Sequence, residues 1–176
     1  MCGVLPARGI RVSGLAAVAL GSNLKSNFGD REANLREAVR QIGALGEVRA
    51  VSSFYDTEPV GYLEQPRFLN GALLLWTELE PVTLMRGLLG VERAMGRERK
   101  GTVAKGPRVI DLDLLLYREE GGVGVVKATE ELTLPHPEMQ NRRFVLEPLA
   151  EIAPEWVHPV LGVTVRAMLA GLRCDS

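Results

Sequence analysis

Apolar side chains run unbroken from residue 15 to residue 20 and stop at Gly21-Ser22-Asn23, a turn signal. Such a run predicts a strand buried on both faces. Over residues 30–45 the apolar positions are Leu35, Ala38, Val39, Ile42 and Leu45. That i, i+3, i+4, i+7 spacing predicts an amphipathic helix, closed by Gly46. Residues 48–55, rich in valine and aromatics, predict a strand. Residues 56–67 form a loop punctuated by Pro59, Gly61 and Pro66, and residues 68–79 predict a further strand. Pro81 suits the first turn of a second helix, whose face carries Leu84, Leu88, Val91 and Met95 and whose end is marked by Gly96.

The second half reads as a polar loop over 97–107 and a strand over 109–117, apolar apart from two aspartates. A turn at 119–122, a short strand at 123–127 and helices over 141–151 and 163–172 complete it. The order β-α-β-β-α-β with helical material afterwards predicts an α+β fold. Its core would be a ferredoxin-like antiparallel sheet with helices on its faces. Residues 1–14, with Gly3, Pro6, Gly9 and Gly14, read as an N-terminal extension to one domain spanning 15–176.

Composition narrows the function classes. The chain has 176 residues, 46% hydrophobic and 24% charged, with 21 basic and 22 acidic side chains and a net charge of −1. That balance argues against binding nucleic acid through bulk positive charge. Two histidines, His136 and His158, and two cysteines at opposite ends, Cys2 and Cys174, leave almost no room for a His/Cys zinc site. Free thiols in a reducing cytosol are the expectation for the cysteines, a bridge between the chain ends being the alternative. Arg8 and Arg11 precede the apolar run at 15–20, which is too short for a signal-peptide core or a membrane span. A cytoplasmic protein without a membrane partner is expected.

The chemistry concentrates in one stretch. Asp111 and Asp113 are two apart in a predicted strand, so they share a face, with Cα atoms about 6.6 Å apart. Hard oxygen ligands at that spacing suit Mg²⁺, although a solvent-facing strand end or an ion pair with Arg108 would also explain them. The segment just before them carries Arg93, Arg97, Arg99, Lys100, Lys105 and Arg108 against one carboxylate, Glu98. Arginine forks beside metal-binding carboxylates are what a Mg-polyphosphate needs; an ordinary solvated charge run is the alternative. Gly96 to Thr102 has the glycine spacing of a P-loop but lacks its lysine and follows a helix, so that reading is rejected. Glu92 falls at the apolar face of its helix, as a ligand-pocket acid or as a flank residue paired with arginine. His136 lies between two prolines. Phe68, Asn70 and Phe144 are core packing, or else an aromatic sandwich with an amide to read a flat heterocycle.

Six ordered segments then carry a resemblance. They are Ala19-Leu-Gly-Ser-Asn23, Val51-Ser-Ser-Phe-Tyr55 with Thr57, Gln65-Pro-Arg-Phe-Leu-Asn70, Glu92 with Gly96-Arg-Glu-Arg99, Gly106-Pro-Arg-Val-Ile-Asp-Leu-Asp113, and Leu134-Pro-His136 through Asn141-Arg142 and Phe144. Together they resemble the 6-hydroxymethyl-7,8-dihydropterin pyrophosphokinase family of the folate pathway. The resemblance implies a diphosphokinase that moves the β,γ-diphosphate of ATP to the pterin hydroxymethyl group and releases AMP. It implies two Mg²⁺ ions on Asp111 and Asp113, and Arg97 and Arg99 closing over the phosphates. Arg108 and His136 would hold the nucleotide, and Glu92 matches a residue of the ATP pocket. Phe68 and Phe144 would stack on the pterin, Asn70 with backbone groups around Thr57 and Val60 would read its edge, and Arg142 would sit near the reacting phosphates. The partners implied are small molecules, acting on a monomer. Lys105 departs from the aromatic common before Gly-Pro-Arg, Glu58 from a frequent proline and Arg143 from a small residue. Two rivals are a DxD nucleotidyl- or glycosyltransferase and a non-catalytic ligand-sensing module of the same fold.

Overall fold

The computed structural model describes residues 12–97 and 105–174. Arg99, Lys100, Cys2 and most of the expected extension lie outside the described residues. The first strand, β1 (Gly14–Ser22), leads to helix α1 (Arg31–Ile42), whose N-cap Asp30 accepts a bond from the Ala33 N–H at 2.9 Å. Strands β2 (Glu47–Val51), β3 (Tyr55–Thr57) and β4 (Phe68–Thr77) follow, then helix α2 (Pro81–Ala94) and strand β5 (Asp111–Glu119). A small hairpin, β6 (Lys127–Ala128) with β7 (Thr133–Leu134), a 3₁₀ turn (Met139–Asn141) and helices α3 (Arg143–Ile152) and α4 (Val165–Cys174) complete the chain.

The main sheet has the order β2-β4-β1-β5, with β3 also on β4, and every pairing is antiparallel. Each β-α-β crossover therefore skips one strand position, which is the ferredoxin-like arrangement. Alternation along β1 explains its unbroken apolar run. Ala16, Val18 and Leu20 meet Leu35 and Ile42 of α1 and Leu84 and Leu88 of α2, while Ala17 meets Leu146 and Leu149 of α3 and Leu169 of α4. Both faces of the sheet are covered, so neither needs polar positions.

Two local irregularities depart from the predicted strands. The single strand expected at 48–55 is two, because Ser52 interrupts it: its N–H bonds the Ala72 carbonyl and its Oγ accepts from the Ala72 N–H, both at 2.9 Å. The Phe54 ring beyond it lies where a Cβ on Gly71 would come within 2.8 Å. In β5 the register jumps from Ala17↔Leu116 to Val18↔Leu114, leaving Leu115 unopposed. This β-bulge lets Leu115 and Leu116 both join the α3/α4 layer while Leu112 and Leu114 face α1/α2. Asp111 and Asp113 oppose Gly21 and Ala19 and so point to the α3 side. The strand expected at 109–117 starts at Asp111 instead, and 123–125 is held to it by two bonds, the pair β6–β7 forming later. Among the described residues no helix is long and apolar enough to cross a membrane.

Candidate active site

A cavity of about 420 Å³ opens where β1 ends, between β4, β5 and the start of α3. Its floor is set by register. Asn70 on β4, Gly21 on β1 and Asp111 on β5 lie side by side across three strands. A Cβ on Gly21 would come within 3.2 Å of Asn70 Oδ1, 3.8 Å of the Phe68 ring and 3.9 Å of the Asp111 Cβ. A glycine there keeps the floor open between an amide and a carboxylate. In the sequence Gly21 stood out as a turn residue and as part of the Ala19–Asn23 segment, with no role of its own.

On one side lies a charged cluster. Helix α2 ends in a Schellman cap: Gly96, with φ +89°, donates its N–H to Arg93 O and Arg97 donates its own to Glu92 O, each at 3.0 Å. That cap folds Arg97 back over Glu92. The Arg97 Nη1 donates to Glu92 Oε1 and to Asp111 Oδ1, both at 2.6 Å. Glu92, only 1% exposed, also accepts the Leu112 N–H at 2.8 Å. It is paired with arginine, as the flank reading expected, but from a buried position in which it also joins α2 to the backbone of β5. Burial works against the Arg97 charge, and the Asp111 and Glu92 carboxylates more than restore it. Arg108 Nη1 donates to Asp111 Oδ2 at 3.1 Å, so both oxygens of Asp111 are held by arginine.

Asp113 contrasts with this. Among the described residues its carboxylate has no hydrogen bond or ion pair. Burial, and next the neighbouring Asp111, push it up to about 6, with Arg142 and Arg108 opposing. Among the described residues the Arg108 Nε is buried without an acceptor. An underserved carboxylate and an arginine with an orphaned N–H line the same cavity, which fits a divalent cation carried by an anion. No group of three or more potential metal-binding side chains exists among the described residues. Two carboxylates complemented by substrate phosphate oxygens are the usual protein share of a Mg²⁺ site.

His136 follows β7, and its N–H donates to the carbonyl of Leu115, the bulged residue, at 2.9 Å. Its Nδ1 accepts the Glu138 N–H at 3.3 Å, which leaves the proton on Nε2. Burial and then Arg142 lower its pKa, which favours the neutral ring. Arg142 pairs with Glu138 and lies 5.8 Å from the centre of the Phe144 ring.

The other side is aromatic. Phe68, Phe144, Thr57 and Val60 line the cavity with Asn70. The Asn70 amide N–H donates to the Thr57 hydroxyl. Arg108 sits 5.3 Å from the centre of the Phe68 ring. Of the expected site residues, Glu92, Arg97, Arg108, Asp111, Asp113, His136, Thr57, Val60, Phe68, Asn70, Arg142 and Phe144 come together around this one cavity. Arg99 lies outside the described residues. Reasoning from the sequence also missed Asn23, whose Nδ2 donates to Gln65 Oε1 at 2.9 Å and to Pro66 O at 3.0 Å. Its signals were its place in a Gly-Ser-Asn turn and in the Ala19–Asn23 segment.

A family model described as 7,8-dihydro-6-hydroxymethylpterin-pyrophosphokinase (HPPK) matches residues 17–154. The chain is 44% identical over 146 residues to the 2-amino-4-hydroxy-6-hydroxymethyldihydropteridine pyrophosphokinase of Bacillus subtilis, covering 82% of this chain and 81% of that one. It is 44% identical over 151 residues to the enzyme of the same name in Methylorubrum extorquens, covering 85% and 90%. The folic acid synthesis protein fol1 of Schizosaccharomyces pombe is 40% identical over 136 residues, covering 76% of this chain but 18% of fol1. Among solved structures, Plasmodium falciparum HPPK-DHPS has the same fold, with a TM-score of 0.71 at 16% identity over 93% of this chain and 45% of that one. The charged and aromatic halves of the cavity and these likenesses lead to one conclusion: the chain belongs to the 7,8-dihydro-6-hydroxymethylpterin-pyrophosphokinase family.

Proposed function

We propose that this chain transfers the β,γ-diphosphate of ATP to the 6-hydroxymethyl oxygen of 6-hydroxymethyl-7,8-dihydropterin. The hydroxymethyl oxygen attacks the β-phosphorus in line, the bond from that phosphorus to the α,β-bridging oxygen breaks, AMP leaves, and the hydroxyl proton passes to solvent. One observation carries the reading. A glycine's width separates Asn70 from Asp111, so a bound heterocycle and a bound polyphosphate share a floor.

Phe68 and Phe144 stack on the pterin, and Asn70, its amide turned by the Thr57 hydroxyl, reads the donor and acceptor edge beside the backbone at Val60. Asp111 and Asp113 would hold two Mg²⁺ ions. When bound, these supply charge neutralisation on the phosphates and acidify the attacking hydroxyl. Arg97 and Arg108 exchange Asp111 for phosphate oxygens, and Arg99 takes the same role by its match to the family motif. His136 donates its Nε2 proton to the nucleotide. Glu92 positions Arg97, and Arg142 reaches the reacting phosphates from the aromatic side. Alignment and electrostatic stabilisation then supply most of the rate, as phosphoryl-type transfers require. The protein acts as a monomer on small molecules, without nucleic acid.

The test is direct. The protein is incubated with Mg-ATP, with and without 6-hydroxymethyl-7,8-dihydropterin, and nucleotide products are followed. AMP should form only with the pterin, mole for mole with pterin diphosphate. Release of pyrophosphate or a nucleoside diphosphate would point to the transferase rival. Tight pterin binding with no nucleotide consumed would point to a sensing module.

A further inference from the structure

The cavity carries one cation that the proposed function leaves unused. Lys105 lines its mouth and, among the described residues, is the one non-glycine residue with positive φ, at 58°. A side chain is disfavoured in that conformation, and it persists where surrounding bonds over-determine it. Those bonds are present. The Lys105 carbonyl accepts from Gln65 Nε2 at 2.9 Å, and Gln65 is itself held by Asn23. Asn23 also grips Arg108, taking its N–H on Oδ1 at 2.8 Å and donating to its carbonyl at 3.1 Å. The segment 105–108 is therefore fixed at both ends.

The stem of the side chain lies against a neighbouring loop. It crosses Gly61, where an added Cβ would lie 3.0 Å from Lys105 Cδ, so the residue leans on the loop that borders the aromatic half. Among the described residues the ammonium makes no hydrogen bond or ion pair, and Glu58, a carboxylate of the same cavity, is already engaged by Arg67. Arg97 and Arg108 must leave Asp111 before they can bind phosphate. Lys105 has nothing to leave.

We propose that Lys105 is a binding residue for the transferred diphosphate, gripping the β,γ-phosphates from the pterin side of the cavity. This rests on the diphosphate-transfer reading above. The diphosphate starts on the nucleotide and ends on the pterin, so a cation anchored to the pterin loop follows it throughout. The α-phosphate, which leaves in AMP, and the uncharged pterin make no demand on it.

That division gives the test. Calorimetric titrations of the full chain use the α,β-methylene analogue of ATP with Mg²⁺, AMP, and 6-hydroxymethylpterin. They compare the native protein with Lys105→Met, which keeps the stem, and Lys105→Arg, which keeps the charge. Lys105→Met should weaken the analogue by about tenfold, one charge-assisted contact, and leave AMP and pterin within about twofold. Lys105→Arg should recover most of the loss. Unchanged analogue affinity in Lys105→Met overturns the proposal, as does an equal loss for all three ligands, which would make the stem a prop for the loop. If the native protein binds neither analogue nor pterin, the diphosphate-transfer reading fails, and this proposal with it.

Discussion

Two carboxylates on the α3 side of the sheet receive opposite treatment. Glu151, in the last turn of α3, accepts the Ser53 N–H at 2.9 Å, the Ser53 hydroxyl at 2.8 Å and the Tyr55 hydroxyl at 2.6 Å. Those donors, Tyr55 first, hold its pKa below the usual carboxylate value, and the Tyr55 phenol is pushed up to about 12 in return. Asp113, half-buried in the cavity, has no such donor among the described residues and sits at about 6. The first carboxylate is satisfied by the fold and ties the link between β2 and β3 to α3. The second is satisfied only from outside. A protein that leaves a buried charge short of partners gives up stability at that point, and the shortfall marks where a ligand completes the structure.

Asp113→Asn should sharpen this contrast most. Turnover should fall by at least about a thousandfold, since a phosphate-neutralising ligand is lost. Stability should move the other way. A carboxyl raised from 3.8 to about 6 binds its proton more tightly in the folded chain, so native stability falls as pH rises through that window. Above it the penalty is complete, about 1–3 kcal/mol for a shift of this size. The ligand-free asparagine variant should therefore be more stable than the native protein at neutral pH, with the gain vanishing near about pH 4. Urea unfolding at both pH values measures it; a variant less stable at neutral pH would mean Asp113 is a structural group.

Glu92→Leu probes an intermediate case, a charge that is deeply buried yet served by the fold. The change orphans the Leu112 N–H and takes one of two carboxylates from Arg97. Loss of a buried bond and of one ion-pair partner should cost about 2–4 kcal/mol in the same urea assay. A cost below about 1 kcal/mol would mean that α2 and β5 are joined by packing alone.

The sequence made some of this legible and concealed the rest for identifiable reasons. The run at 15–20 and the faces of α1 and α2 are local patterns, set by which side chains must leave water, and they were readable without a structure. The break at Ser52 was not, because it depends on the Phe54 ring meeting Gly71 on another strand. Asp111 and Asp113 announced themselves by spacing. That Asn70 and Gly21 stand beside Asp111 is a matter of strand register, which no single segment encodes. Glu92 was conspicuous as a carboxylate on an apolar face, yet its partner, the backbone N–H of Leu112, carries no sequence signal at all. Asn23 and Gln65 likewise act through backbone groups of distant loops.

The smallest effect belongs to Glu151→Gln, and it tests whether the satisfied carboxylate is as incidental to stability as its exposure implies. Exposed polar contacts are weakened by water, so the change, which removes the charge and one of two acceptor oxygens, should cost less than about 1 kcal/mol. Its clear readout is Tyr55. With the carboxylate gone, the phenol should titrate back near its ordinary value of 10.0 instead of about 12, followed by ultraviolet absorbance. A phenol held protonated by the fold adds stability below its unfolded pKa and loses it as pH climbs between the two values. The native chain should therefore weaken across that alkaline window more steeply than the glutamine variant. If Tyr55 keeps its high value in the variant, burial and not Glu151 is what protects the phenol, and the α3 tie is one hydrogen bond weaker than the geometry indicates.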